Sequence, residues 1–201
     1  MEKDLVAESK RIARAIVVRE FRKSLGKYYL SWTAYDFLTG ITYVILANYP
    51  LYYYIALFSL LGIFIFLSGR FFLKAYSSLF KFFSAYEVYG KYSLLAWILG
   101  KFLNPALYII SVILIFVGGL LPNFQVFLVG IVLLVFSVDS SLYITYVVPG
   151  MKYYDILALI TFTVCIPLAN VTSYSQIAYL VFGLSWLFAG YKSLMEVVEG
   201  E

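Results

Sequence analysis

Apolar positions in this chain gather into six long runs, 28–47, 51–73, 103–121, 124–147, 153–169 and 174–194, broken by short polar or charged joints. A helix rising ~1.5 Å per residue needs about 20 mostly apolar residues to cross the hydrocarbon core of a bilayer. Each run therefore predicts one membrane-spanning helix. The third has an alternative start at Ser93, and dividing 93–119 differently would give five or seven crossings. Three joints are very short and uncharged: Asn48-Tyr49-Pro50, Pro122-Asn123 and Asn170-Val171-Thr172-Ser173. Proline and asparagine stop helices and favour turns, so these joints predict tight hairpins. The expected fold class is all-α: a polytopic integral membrane bundle of about six transmembrane helices over 28–194, with amphipathic helices at its cytoplasmic interface.

Two segments carry helical periodicity with a polar back. Over residues 3–18, Leu5, Val6, Ile12, Ala13, Ile16 and Val17 share one face, and Lys3, Asp4, Glu8, Lys10, Arg11, Arg14 and Arg19 take the other. Residues 1–27 thus predict a basic amphipathic helix in the headgroup region, with Lys23–Lys27 as its turn into the membrane. Over 74–92, between the second and third runs, an aromatic face including Tyr76, Phe82, Phe83 and Tyr86 opposes Lys74, Ser77, Lys81 and Lys91. This predicts a second interfacial helix. Either helix anchors and orients the chain or docks a cytoplasmic partner, such as a motor ATPase or peripheral subunit. Residues 195–201 form a short acidic tail.

Charge sets the direction of the predicted bundle. Of the fifteen lysines and arginines, eight precede the first run, five lie around the joint between the second and third, and Lys152 and Lys192 complete the set. The three short hairpins hold none. By the bias of cations toward cytoplasmic loops, both termini are expected inside. Five crossings would separate the termini, against that bias.

Composition supports this class. Apolar side chains make up 63% of the 201 residues and charged ones 13%, with a mean hydropathy of +0.90. A soluble domain is nearer ~45–50% and ~25%, and a single core of this size cannot hide the excess. The net charge of +4 flanks apolar runs, so lipid headgroups rather than nucleic acid are the expected partners, alongside a protein partner or a second copy of the chain. The lone Cys165 cannot form an intrachain disulfide, and the absence of histidine removes the commonest metal ligand. No metal or cofactor is expected. Met1–Lys27 is charged throughout and does not read as a cleavable signal peptide.

Two carboxylates fall deep inside predicted spans. Asp36 lies about eight residues into the first, and Asp139 about eight from the inner end of the fourth, each ~12 Å from its helix end. A centred aspartate costs ~2.5–3.5 kcal/mol to insert, so each is expected to face the bundle interior or a watery cavity. Thr33, Thr39 and Gly40 share the helical face of Asp36. Ser140, Tyr143 and Tyr146 lie near that of Asp139, with Ser137 and Ser141 close by. Such residues let helices approach and supply hydrogen bonds. Arg70, near the inner end of the second run, is the candidate partner, able to turn inward to a carboxylate or outward to phosphates. Asp36, Asp139 and Arg70 are therefore candidates for ion or proton binding, with Thr33, Thr39, Ser140 and Tyr143 as polar lining. The competing reading is a buried pair that fixes helix assembly.

No catalytic constellation is present: there is no glycine-rich phosphate loop, HExxH pair or histidine triad. Asn170-Val171-Thr172 matches a glycosylation acceptor but reads equally as a turn. Gly118-Gly119 and Pro167 read as helix termination and kinking. The abundant tyrosine and phenylalanine suit interfacial belts. The plan, a basic interfacial helix followed by six spans, is like that of exporter permeases driven by a separate ATPase, a likeness of layout that no motif carries. The expected function is a transport-related membrane subunit. The alternatives are a non-catalytic scaffold or accessory subunit and, third, a lipid-modifying membrane enzyme.

Overall fold

The computed structural model describes residues 2–85, 104–121, 123–145, 150–171 and 175–199. Among them it is all-helical, with no strand: α1 Glu2–Leu46, α2 Pro50–Ala85, α3 Asn104–Leu120, α4 Phe124–Thr145, α5 Tyr153–Val171 and α6 Ser175–Glu199. Within the described residues, each of the six apolar runs falls on a helix. Two of the breaks come at proline and asparagine, whereas Pro167 and Asn170 lie inside α5 and the rest of the expected turn, 172–173, is outside the described residues. Pro50 opens α2 at its first position, where a missing N–H costs nothing. The end of α3 is closed by the Asn123 N–H bonding the Gly118 carbonyl at 2.9 Å. The Asn123 side chain then accepts from the Val126 N–H at 3.2 Å and caps α4.

Two expectations change. α1 runs unbroken for 45 residues and makes no turn at Lys23–Lys27. Its only weak helix former there is Gly26, and no proline occurs before Pro50. The shift from amphipathic to apolar pattern near Tyr28 marks a change of surroundings, not of backbone. Likewise α2 continues to Ala85, so the expected interfacial helix over 74–92 is the far end of the second helix as far as it is described, and 86–92 lie outside the described residues.

Among the described residues, two helices are long and apolar enough to cross a membrane, Pro50–Phe71 and Ser175–Glu199. The other apolar stretches among the described residues, Ala106–Gly119, Phe124–Val138 and Tyr153–Leu168, fall short of that length. The first expected span, in α1, does not meet the same test.

The chain divides into two compact units. The first holds Met1–Phe82 and Tyr179–Glu201, and so α1, most of α2 and most of α6. α1 and α2 are antiparallel, with Tyr43 against Tyr53 near their turn (ring centroids 5.8 Å apart) and Glu20 against Lys74 at the far end (3.6 Å). α6 also runs antiparallel to α1, since Ser193 lies by Arg22 and Gly183 by Asp36. The core of this unit is aromatic. Trp186, 1% exposed, meets Tyr29 edge-on at 5.1 Å, with Tyr28 at 5.8 Å and Phe182 at 4.8 Å. The helical spacings of Phe21, Leu25 and Tyr28 on α1, and of Phe182, Trp186 and Ala189 on α6, place these residues on single buried stripes.

The second unit, Phe83–Ala178, holds α3, α4 and α5. α3 and α4 form a close antiparallel hairpin at two glycines. A β-carbon on Gly118 would strike the Phe127 backbone, and one on Gly130 would lie 2.7 Å from the Ile115 nitrogen. α5 begins at one half of a capping box: the buried Asp155 carboxylate accepts from the Lys152 N–H at 2.9 Å.

Candidate functional site

The site is built upward from α1 in the first unit. Past the aromatic core, Thr33 is buried. Its hydroxyl donates to the Tyr29 carbonyl at 3.1 Å and reaches the Gly183 carbonyl of α6 at 3.5 Å. One turn on, Asp36 is half-buried, and its Oδ2 occupies the space that a β-carbon on Gly183 would fill. The glycine is what admits the carboxylate against the α6 backbone. Thr39 donates to the Asp36 carbonyl at 2.8 Å, so it serves the backbone of α1. Next to Asp36, Tyr35 meets Trp32 edge-on at 5.5 Å and Phe64 of α2 at 5.7 Å. The Asp36 carboxylate thus lies in a setting of aromatic rings and glycine backbone, with no hydrogen bond or ion pair to its side chain among the described residues.

Arg70 is not its partner. The α2 residue level with this part of α1 is Phe64. Arg70 lines a different cavity, with Lys23, Ser24, Lys27, Phe71 and Lys74. Lys27 is nine residues before Asp36, or ~14 Å along the helix. Asp36 and Arg70 therefore serve separate places in the same unit. Asp139 belongs to the other unit, on α4, and its side chain, with those of Ser140 and Tyr143, lies outside the described residues. Within the proposed set the structure brings together Thr33 and Asp36, joined through Gly183.

Three residues escaped the sequence reading. Arg22 is 1% exposed, with its Nε 3.8 Å from Glu196 Oε2 and its carbonyl accepting from Ser193 at 2.8 Å. Its spacing from Leu25 and Tyr29, three and seven residues on, puts it on the buried stripe, a signal hidden by its place in a basic segment. Asp155 is the third residue of the fifth run, and an acid three residues after Lys152 at the start of an apolar run has capping-box spacing. Gly183 was not singled out, because nothing in its own neighbourhood marks it. Its meaning comes from Asp36, some 147 residues away in sequence.

The chain matches no family model, and comparison with curated proteins and with solved structures finds no match.

Proposed function

We propose that this chain is a six-crossing integral membrane protein with both termini cytoplasmic, acting as the membrane subunit of a transport system in which Asp36 takes up a proton or cation. Support for the membrane comes first from exposure. In the apolar segment Pro50–Phe71 only 11% of the most apolar window is buried, and Tyr52, Ile55, Phe58, Ile63 and Phe66 all face outward. A core helix of a soluble protein would be covered, whereas lipid accepts such a surface. The antiparallel course of α1 and α6, which brings Arg22 beside Glu196, favours an even number of crossings.

The transport role rests on one observation: a carboxylate in an apolar helical unit whose side chain has no ionic or hydrogen-bonded partner among the described residues. A structural aspartate at that place would be expected to hold a partner. One left open to a small cation or proton is what a coupling site requires. Asp139 is the second carboxylate of the same proposal. The test is proton uptake by liposomes containing the purified chain and a trapped pH dye, driven by an imposed potassium potential. Asp36→Asn is expected to reduce uptake to that of protein-free liposomes. Equal rates for the wild type and Asp36→Asn would reject the role.

An accessory-subunit reading has its own support. The apolar face of the amino-terminal half of α1 is uncovered, with Val6 59%, Ile12 53% and Ile16 59% exposed. Such a stripe suits a headgroup layer or a docked protein. Copurification with an ATPase favours transport, and stable association with an enzyme complex favours the accessory role.

A further inference from the structure

α1 and α2 each present the same short pattern to a shared cavity of about 200 Å³: Lys23, Ser24 and Lys27 from one, Arg70, Phe71 and Lys74 from the other. Both triplets have i, i+1, i+4 spacing, so each helix aims one turn at the other. Four cations converge here. Lys74 has Glu20 at 3.6 Å and Lys27 sits over the Phe71 ring at 5.9 Å. Lys23 and Arg70 have no acidic partner among the described residues. Gathering four like charges around one hollow costs Coulomb energy that an entering anion relieves. All four cationic side chains are exposed, while Ser24, the hydroxyl between the two lysines, is buried at 4% exposure.

Two further facts identify the anion. The cavity is below the ~300 Å³ at which pockets for drug-sized ligands begin, so it suits a phosphate group rather than a whole nucleotide. It also lies where apolar chain gives way to polar chain on both helices: the apolar segment of α2 closes at Phe71, and the apolar run of α1 opens at Tyr28. That level in a bilayer is occupied by headgroup phosphates, and basic pockets between helices on the cytoplasmic side bind them.

We infer that the cavity between Lys23, Lys27, Arg70 and Lys74 is a binding site for the phosphate of an anionic phospholipid. The inference rests on the membrane reading above. Arg70 supplies the planar donor fork and the lysines supply point charges. With Glu20 the acidic residue paired to these cations among the described residues, the site favours headgroups carrying more than one negative charge.

The test uses the full chain purified in detergent, followed by native mass spectrometry with added phosphatidylcholine, phosphatidylglycerol or cardiolipin. Wild type is expected to retain cardiolipin best and phosphatidylcholine least. Lys27→Gln/Arg70→Gln should lose about thirtyfold of the cardiolipin retention, at ~1 kcal/mol for each of the two cations removed. Lys152→Gln/Lys192→Gln, with the same charge loss outside both the pocket and the amino-terminal amphipathic helix, should retain it. Lys23→Gln alone should give a smaller loss, which keeps the test valid if the double variant is misfolded by size-exclusion profile. Unchanged retention in the pocket variants, or an equal loss in the control pair, would overturn the site. Inorganic phosphate binding as tightly as lipid, with loss in the pocket variants, would overturn the lipid assignment in favour of a soluble anion. Carbonate extraction separates this from the membrane reading. A chain released by carbonate fails that reading, and a chain retained but indifferent to lipid charge fails only the pocket.

Discussion

Gly26 and Gly190 face each other where α1 crosses α6, and a β-carbon on either would sit 3.1 Å from the carbonyl oxygen of the other. Each would also lie 2.8 Å from a leucine branch point, Leu194 for Gly26 and Leu30 for Gly190. Close backbone approach replaces side-chain interdigitation at this point. Between helices in lipid, where no hydrophobic force draws them together, such contact is a principal source of cohesion.

Replacing Gly190 with leucine should therefore force α1 and α6 apart, at a cost of about 1–3 kcal/mol typical of overpacking. Thermal unfolding in detergent should show a clear fall in melting temperature for Gly190→Leu. Gly40→Leu, at a position with nothing within 4 Å, is the control. Equal melting temperatures for the two variants would mean that the crossing does not depend on glycine.

A sharper contrast exists at neighbouring positions on α3. A β-carbon on Gly118 would lie 2.7 Å from the Phe127 α-carbon and closer still to its nitrogen, whereas one on Gly119 meets nothing within 4 Å. Backbone cannot yield as a side-chain tip can. Gly118→Ala should lower the melting temperature markedly, and Gly119→Ala should leave it unchanged or raise it, since alanine is the better helix former by about 1 kcal/mol. The same response from both would remove the close α3–α4 hairpin.

The helices themselves are legible at two of their ends, where proline and asparagine mark breaks irrespective of the solvent, although Pro167 and Asn170 are carried inside α5. Pro50 and Asn123 do at their helix ends what the reading expected of them. Continuity was harder to read. Lys23–Lys27 and Phe72–Ala85 change polarity without containing a proline, and a change of polarity reports the surroundings of a helix, not its end. The candidate site was legible only in its parts. Asp36 and Thr33 share a face by spacing alone, but the glycine that seats the carboxylate is on α6. Arg70 was matched to a carboxylate because opposite charges attract. Its place on α2 puts it instead among lysines, which only the register of the α1–α2 hairpin reveals.

That seat makes a testable coupling. A methyl group at position 183 would displace the Asp36 carboxylate, so Gly183→Ala should destabilise the chain in the wild-type background and less so when Asp36 is alanine. A double-mutant cycle of unfolding free energies should give a coupling of about 0.5–3 kcal/mol. Additive effects would place the carboxylate elsewhere.

The account depends most on the crossing pattern, and site-directed labelling measures it directly. With the buried Cys165 replaced by alanine, single cysteines at Ser9, Tyr49, Asn123, Lys152 and Lys192 are challenged in intact cells with a membrane-impermeant maleimide. Tyr49→Cys and Asn123→Cys are predicted to label from outside, and the other three only after permeabilisation. Labelling of Ser9→Cys or Lys152→Cys in intact cells would contradict the arrangement.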